Sequence, residues 1–529
     1  MADTQWTSPD DGKNPYNCSI EIIRQVNEQF ISHGVQFVVH VGDLCEWGGT
    51  EVGESIRAAF AQTLFNNKIG FFPLRGNHDD GAAVAAEFQL NYPQCANGVQ
   101  NNTPSAVLHI LNPDEASQPT PAVAGSTFTV GSNFSSPDPW GTGDLKGLSY
   151  SFDVNGSRFI LLDQFTPPDS NANYNLWTTI AAQQSWITQQ LTSRPAGGHA
   201  FVFGHFPLIT EYNVGVLLGS DPSQNQAATD AFIESLAENG VHIYACGHDH
   251  MHDRTLVYTT DGRSASVMQV ISQSDSSFFY KPLRPSLDQT YNVQKYGVAR
   301  QVPIQQELCK VGYYLVTIDG SSATVEYWAA NVSTAWNQAN YEYEINTVPE
   351  LNFTLRESYG YGLVGKQFQI PQGGSFTAVK DTSPNNNLAE ILSGSNLSIE
   401  QDGSNRTLVR VVDIGWSTVS GLASDVLTLW GLQSGLGSEQ CETYTLQMSF
   451  DPALLSTGSA ADGTAGLATL DASGNWTNAV NSNYGGTKNF VAGPWESRYT
   501  LGSYGVDATN NVAWAVLNYG GPFAVTSSI

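Results

Sequence analysis

Apolar residues occur in short runs broken by polar turns through the first two thirds of the chain. Over Ser19–His33, the positions Ile22, Ile23, Val26, Phe30 and Ile31 recur on one helical stripe, and Gly34 follows as a C-terminal cap. A nearly continuous apolar run over 35–41 then ends in Gly42-Asp43. The arrangement returns at 67–74, which ends in Gly76-Asn77-His78-Asp79, and at 200–203, which ends in Gly204-His205. A helical stretch over 228–238, stopped by Gly240, precedes the run 241–246 and its ending Gly247-His248-Asp249-His250. Runs this short, rich in β-branched and aromatic residues, predict buried strands of a layered α/β domain. Each delivers polar side chains just past its C-terminal end, the edge at which open α/β sheets bind ligands. The runs 150–154 and 158–162 flank Asn155-Gly156 and predict a β-hairpin with a type I′ turn.

Two regions break the pattern. Residues 98–148 show little periodicity and many Asn, Pro, Ser, Thr and Gly, which fits either a cap over a site or a surface insertion. From about 346 helical periodicity nearly vanishes, and runs at 407–412, 443–450 and 512–517 alternate between Gly, Asn, Ser and Asp turns. That predicts an all-β, sandwich-like domain over 346–529 behind an α/β domain over 1–345.

Composition narrows the class. A length of 529 residues exceeds a single core, and hydrophobic residues at 41% supply material for two. Charged residues at only 13%, with 50 Gly and long Asn, Ser and Thr runs, point to an extracytoplasmic or secreted protein. A net charge of −27 repels polyanions, so no nucleic-acid polymer is expected as partner. Six scattered cysteines without a CxxC indicate neither a disulfide framework nor a zinc ribbon. No apolar stretch is long enough for a membrane span, and no export signal follows Met1.

The strand-end residues offer one coherent chemistry. Phosphate-ester hydrolysis at neutral pH needs an activated water and neutralisation of the phosphoryl oxygens, and a pair of metal ions does both. Asp43 has two anionic oxygens with which to bridge such a pair; Asn77 has an amide oxygen, and His205, His248 and His250 have ring nitrogens. In Gly-His-Asp-His the two imidazoles are two residues apart and share one side of an extended segment. Glycine before each ligand lets the backbone turn sharply there. Cys45, two residues from Asp43, is expected to be a small buried side chain. Arg75 is expected to steady an acidic neighbour, and Asp163 to cap a turn or support the site.

Gly-Asp, Gly-Asn-His-Asp, Gly-His and Gly-His-Asp-His, in this order and each after a strand, resemble the motifs of the calcineurin-like metallophosphoesterase superfamily over residues 1 to about 330. The resemblance implies a four-layer α/β/β/α sandwich and hydrolysis of small phosphate mono- or diesters by a hydroxide bridging two metal ions (manganese, iron or zinc). It makes Asp43 the bridge, Asn77, His205 and His248 ligands of one metal, and His250 a ligand of the other. It assigns His78 as the catalytic histidine, with Glu46 or Asp79 orienting it. The family's first motif is Asp-x-His, for which Asp3-Thr4-Gln5 is the candidate, with Asp3 and Gln5 as ligands. No residues precede it to form the first strand, so the native chain is expected to extend upstream and to carry its export signal there; the alternative is a true start with a loose arm. The resemblance does not extend to the purple acid phosphatase subgroup, which places a Tyr ligand three residues after the bridging Asp and is disfavoured by Glu46. A second functional reading is a catalytically weak metal-binding scaffold whose C-terminal module serves adhesion, through a surface or polysaccharide. Retention of His78 argues against it.

Overall fold

The computed structural model describes residues 1–5, 19–46, 53–103, 119–166, 178–260, 265–283, 300–320, 322–345, 350–363, 365–369, 380–382, 388–394, 411–430 and 443–529. They form two compact units, one built mainly from Met1–Tyr314 and Trp328–Thr354, the other from Leu315–Tyr327, Leu355–Gln401 and Thr407–Ile529.

In the first unit an eight-stranded sheet runs in the order Gln301–Glu307, His252–Tyr258, Ser266–Ile271, Ile243–Cys246, Ala200–Phe203, Ser157–Leu161, Tyr150–Val154, Ser132–Ser135. Its four central strands are parallel and its flanks antiparallel. A smaller sheet pairs Phe37–Val41 in parallel with Gly70–Leu74. Met1–Asp3 lie along its other side: the Val41 N–H donates to the Met1 carbonyl, Asp3 N–H donates to the Gly42 carbonyl, and Ala2 bridges Ser274. Residues 1–5 are buried rather than a loose arm.

Aromatic rings join the two sheets. Phe37 meets Phe152 and Phe159 edge-on at 5.7 and 5.0 Å, and Phe72 stacks on Phe152 at 4.3 Å. On the outer face of the large sheet, Thr179–Thr192 and Gln226–Glu238 bury Ile180, Ile187, Phe232 and Leu236 against Ile160, Val202 and Tyr244. Beside the small sheet, Ser19–His33 packs Ile20 and Ile23 on Ile56 and Phe60 of the helix Gly53–Phe60, whose Arg57 lies 4.8 Å over Phe71. The layers read α/β/β/α.

Predicted elements appear close to their expected places. Gly34 ends the first helix at φ 64°, and Asn155 and Gly156 turn the hairpin at φ 49° and 84°, as a type I′ turn requires. Within 98–148 short strands lie at Val99–Gln100, Phe128–Thr129 and Ser132–Ser135, while 104–118 fall outside the described residues. Among the described residues no helix is long and apolar enough to cross a membrane.

The second unit holds two six-stranded sheets, mostly antiparallel. Trp416, Leu427, Leu446, Met448, Leu467, Ala515 and Phe523 fill its core. The strands Tyr444–Ser449 and Val512–Leu517 realise two of the three predicted runs; most of the third, 407–412, lies outside the described residues.

Candidate metal centre

The ends of the strands converge as the pattern of runs predicts, and they do so through unusual backbone. Asp3, Gln5, Asp43, His248 and His250 all adopt positive φ, between 37° and 78°. Left-handed backbone in a non-glycine residue costs energy and concentrates where function holds it. The turns are thus made largely by the polar residues themselves, with Gly42 adding a φ of 97° before Asp43. Glycine is needed here for close approach: a Cβ on Gly76 would lie 2.0 Å from Asp43 Oδ1, and one on Gly247 would lie 2.6 Å from Asp3 Oδ2.

Two groups of ligand-type atoms result, each with its members within 4.8 Å of one another: Asp43, His205 and His248, and Asp3, Asp43 and His250. Asp43 belongs to both. His205 Nδ1 donates to the Val41 carbonyl at 2.9 Å, which directs Nε2 inward, 2.9 Å from Asn77 Oδ1 and 3.3 Å from Asp43 Oδ2. His250 Nδ1 donates to the Phe278 carbonyl, which turns its Nε2 to within 3.8 Å of Asp3 Oδ1. Such carbonyl contacts fix the tautomer of a ligating histidine. Backbone N–H groups hold the carboxylates: His78 N–H donates to Asp43 Oδ1 and His248 N–H to Asp3 Oδ1, each at 2.9 Å.

The donor set fits a pair of cations. Asp3 Oδ2, Gln5 Oε1 and His248 Nε2 are buried without a hydrogen-bond partner, an expensive state unless a ligand meets them. Burial, reinforced by Asp43, pushes the Asp3 carboxyl well above its usual range. Burial works the same way on Asp43, but His205 and His78 outweigh it and hold Asp43 low. At His205 burial opposes the imidazolium, yet Asp43 prevails and the pKa rises to about 9. His248 and His250 are held neutral by burial, His250 with a pKa of about 3, as ligands to a metal must be.

His78 stands at the edge of the centre, its Nε2 4.0 Å from Asp43 Oδ2. Its Nδ1 donates to the backbone carbonyl of Glu46 at 2.8 Å, whereas the Glu46 carboxylate is 3.6 Å away. Burial disfavours the charged ring, but Asp43 and Glu46 overcome that and raise its pKa. Glu46 is itself lifted by burial to about 7. Asp79 does not orient His78. It accepts the Leu44, Cys45 and Gly76 N–H groups at 2.8–3.1 Å and so ties the Asp43 loop to the Asn77-His78 turn.

Surrounding residues brace this frame. Arg75 and Asp163 form a fully buried two-point ion pair, with Arg75 also donating to the Asp79 and Gly81 carbonyls. Asp163 in turn caps Phe165 and Thr166 N–H groups. Asp249 accepts N–H groups of Glu211, Tyr212 and Asn213. Tyr280 lies 4.6 Å from the His250 ring and stacks on Tyr212 at 4.5 Å. Glu342 and Glu46 face Tyr280 across the rim. None of Tyr212, Tyr280 and Glu342 carries a motif by which sequence could have marked it. His252 and Arg254 lie buried on the strand His252–Tyr258.

Carboxylates and histidines gathered at the strand ends of a layered α/β unit form groups that could hold metal ions. Residues 1–252, a little under half of the chain, match the family model of the calcineurin-like phosphoesterases. The chain is a metal-dependent hydrolase of phosphoric ester bonds, and the family implies a dinuclear centre. No curated protein matches the chain. Three solved structures are similar at a distance. A dimetal phosphatase from Danio rerio is 13% identical, with a TM-score of 0.36 over 67% of this chain and 96% of its own. A purple acid phosphatase from yellow lupin is 12% identical, with 0.33 over 62% and 50%. GAP50, the anchor in the inner membrane complex of Plasmodium, is 15% identical, with 0.31 over 64% and 87%.

Proposed function

We propose that the first unit hydrolyses small phosphate mono- or diesters at a centre bridged by Asp43, with Asn77, His205 and His248 on one cation and Asp3, Gln5 and His250 on the other. The observation that carries this reading is the membership of Asp43 in both ligand groups. The cations would supply a hydroxide nucleophile at neutral pH and neutralise the phosphoryl oxygens. Manganese, iron and zinc all suit these oxygen and imidazole donors.

The chain's own part follows from its hydrogen bonds. With Nδ1 committed to the Glu46 carbonyl, the second ring proton of a charged His78 sits on Nε2, on the side of Asp43. From there it can be passed to the departing ester oxygen, which then leaves as a neutral alcohol. The Glu46 carboxylate adds charge support to this ring. The net charge of −27 disfavours extended polyanions as substrates. The C-terminal sandwich is read as accessory, and the charge-poor, Gly-rich composition supports an extracytoplasmic setting.

The test is turnover of 4-nitrophenyl phosphate and bis(4-nitrophenyl) phosphate by the full chain loaded with manganese, zinc or iron. Activity on at least one ester is expected. Absence of turnover with every metal, in a folded protein of full cation content, overturns the assignment in favour of a scaffold.

A further inference from the structure

A third group of ligand-type atoms lies behind the loops of the centre, and the proposed hydrolysis makes no use of it. Cys45, Glu54 and Asp79 bring a thiol and two carboxylates within 4.8 Å of one another, the same closeness shown by the two groups that share Asp43. All three side chains are buried, Cys45 and Asp79 fully and Glu54 to 2% exposure. Neither carboxylate oxygen of Glu54 has a hydrogen-bond partner, and Nη1 of the neighbouring, fully buried Arg57 has none either. The groups facing the Glu54 carboxylate are the Asp79 carboxylate, Arg75, the Tyr92 hydroxyl, the Cys45 thiol and Arg57. Arg75 is committed to Asp163. Arg57 is held elsewhere, its Nε donating to Thr4 Oγ1 and its Nη2 to Met1 Sδ, so both Glu54 oxygens stay buried without a hydrogen bond beside a second carboxylate, in a medium that penalises it.

We propose that Cys45, Glu54 and Asp79 form a third, structural metal site for a divalent cation of the zinc type. Zinc takes both thiolate and carboxylate donors, and three protein ligands leave a fourth position for a water molecule. On binding, the Cys45 S–H gives up its proton to solvent and the sulfur bonds the cation. The resulting thiolate and two carboxylates are then balanced by the divalent ion together with Arg57. Asp79 retains lone pairs for this role while accepting its three N–H groups, because an ionised carboxylate offers about four. The three ligands come from the loop after Phe37–Val41, the helix Gly53–Phe60 and the turn after Gly70–Leu74. A cation there would cross-link the segments that present Asp43, Asn77 and His78.

Cobalt(II) distinguishes this site from the dinuclear one, whose donors contain no sulfur. The full chain is stripped with a chelator and titrated with cobalt(II) while the ultraviolet spectrum is recorded. A thiolate-to-cobalt charge-transfer band is expected, absent from Cys45→Ser and weakened in Glu54→Gln. Zinc content, measured by elemental analysis, should fall by one ion per chain in each variant. The wild-type spectrum decides by itself should a variant fail to fold: no charge-transfer band in wild type overturns the site. So does a band of full intensity in folded Cys45→Ser. Esterase activity does not enter either readout, so loss of the hydrolase reading and loss of this site are separate outcomes.

Discussion

His78 is held by the backbone of Glu46, not by its carboxylate: Nδ1 to the carbonyl is 2.8 Å, to the nearer carboxylate oxygen 3.6 Å. Replacing the Glu46 side chain leaves the carbonyl in place. Glu46→Gln should therefore lower kcat less than tenfold, while His78→Ala should lower it by about 10²–10⁴-fold, the usual range for a lost proton donor. Parallel kinetics on the two variants, with cation content measured alongside, check this. Equal losses would mean that the carboxylate, and not the carbonyl, sets the ring.

Gly76→Ala tests the close approach. The added methyl would sit 2.0 Å from Asp43 Oδ1 and 2.3 Å from the Asp43 backbone nitrogen. Backbone cannot swing aside as a side-chain tip can, so the Asp43 loop must shift. A displacement near 1 Å at a reacting centre costs about 10²-fold in rate. Gly81→Ala, where a Cβ meets open space but the backbone stands at φ 94°, should cost stability without that loss of cations. Cation content of the two folded variants separates the cases.

The Arg75–Asp163 pair predicts an asymmetry. Asp163→Ala strands a fully buried guanidinium, which costs about 3–5 kcal/mol. It also frees the arm that braces the Asp79 and Gly81 carbonyls, so activity should fall with stability. Replacing both partners with apolar residues of similar size should recover much of the stability and little of the activity. Chemical denaturation with kinetics on the same samples measures both.

These braces show what the sequence carried and what it did not. Asp43, Asn77, His205, His248 and His250 were legible because each follows a short apolar run, and such runs end at one edge of the sheets. Glycine before each ligand was legible too: Gly42 turns the backbone at φ 97° as expected, whereas Gly76 and Gly247 serve a different purpose. Asp43 and His250 take the strained turns at φ 54° and 50°, and Gly76 and Gly247 instead make room. Glu46 as the partner of His78 was legible, but that the hydrogen bond goes to its backbone carbonyl was not, because a carbonyl has no residue code. Tyr212, Tyr280 and Glu342 enter through long-range packing that no local spacing records. The helix Ala82–Asn91 was not legible because alanines and the exposed Leu90 surround the buried face of Val84, Ala85 and Phe88, so no polar face marks it.

Stability should respond to pH through His242. Burial, with His199 and Arg194 adding to it, lowers its pKa to about 4 from an ordinary 6.5. The folded state thus takes up this proton later than the unfolded state. Its contribution is intact above pH 6.5 and is lost as pH falls toward 4. A shift of that size corresponds to roughly 3–4 kcal/mol at most. In His242→Gln, denaturation midpoints should decline less between pH 6.5 and 4 than in wild type. Identical slopes would place the titration elsewhere.

Asp43 and His205 should behave differently when each is removed, and the difference is a test of bridging. His205 belongs to one ligand group, whereas Asp43 belongs to both. His205→Ala should therefore lose one cation relative to wild type and keep the one held with Asp3 and His250. Asp43→Asn retains one oxygen but no negative charge, and with it goes the group that balances both sides; it should lose two. Ligand binding stabilises in proportion to RT ln(1 + [L]/Kd), so added metal should raise the melting temperature of wild type most, of His205→Ala less, and of Asp43→Asn least. Chelation should reverse each gain and abolish turnover in wild type. If His205→Ala lost two cations, the sites would fill only as a pair. If Asp43→Asn lost one, its second oxygen would serve no cation and the two groups would be neighbours without a bridge.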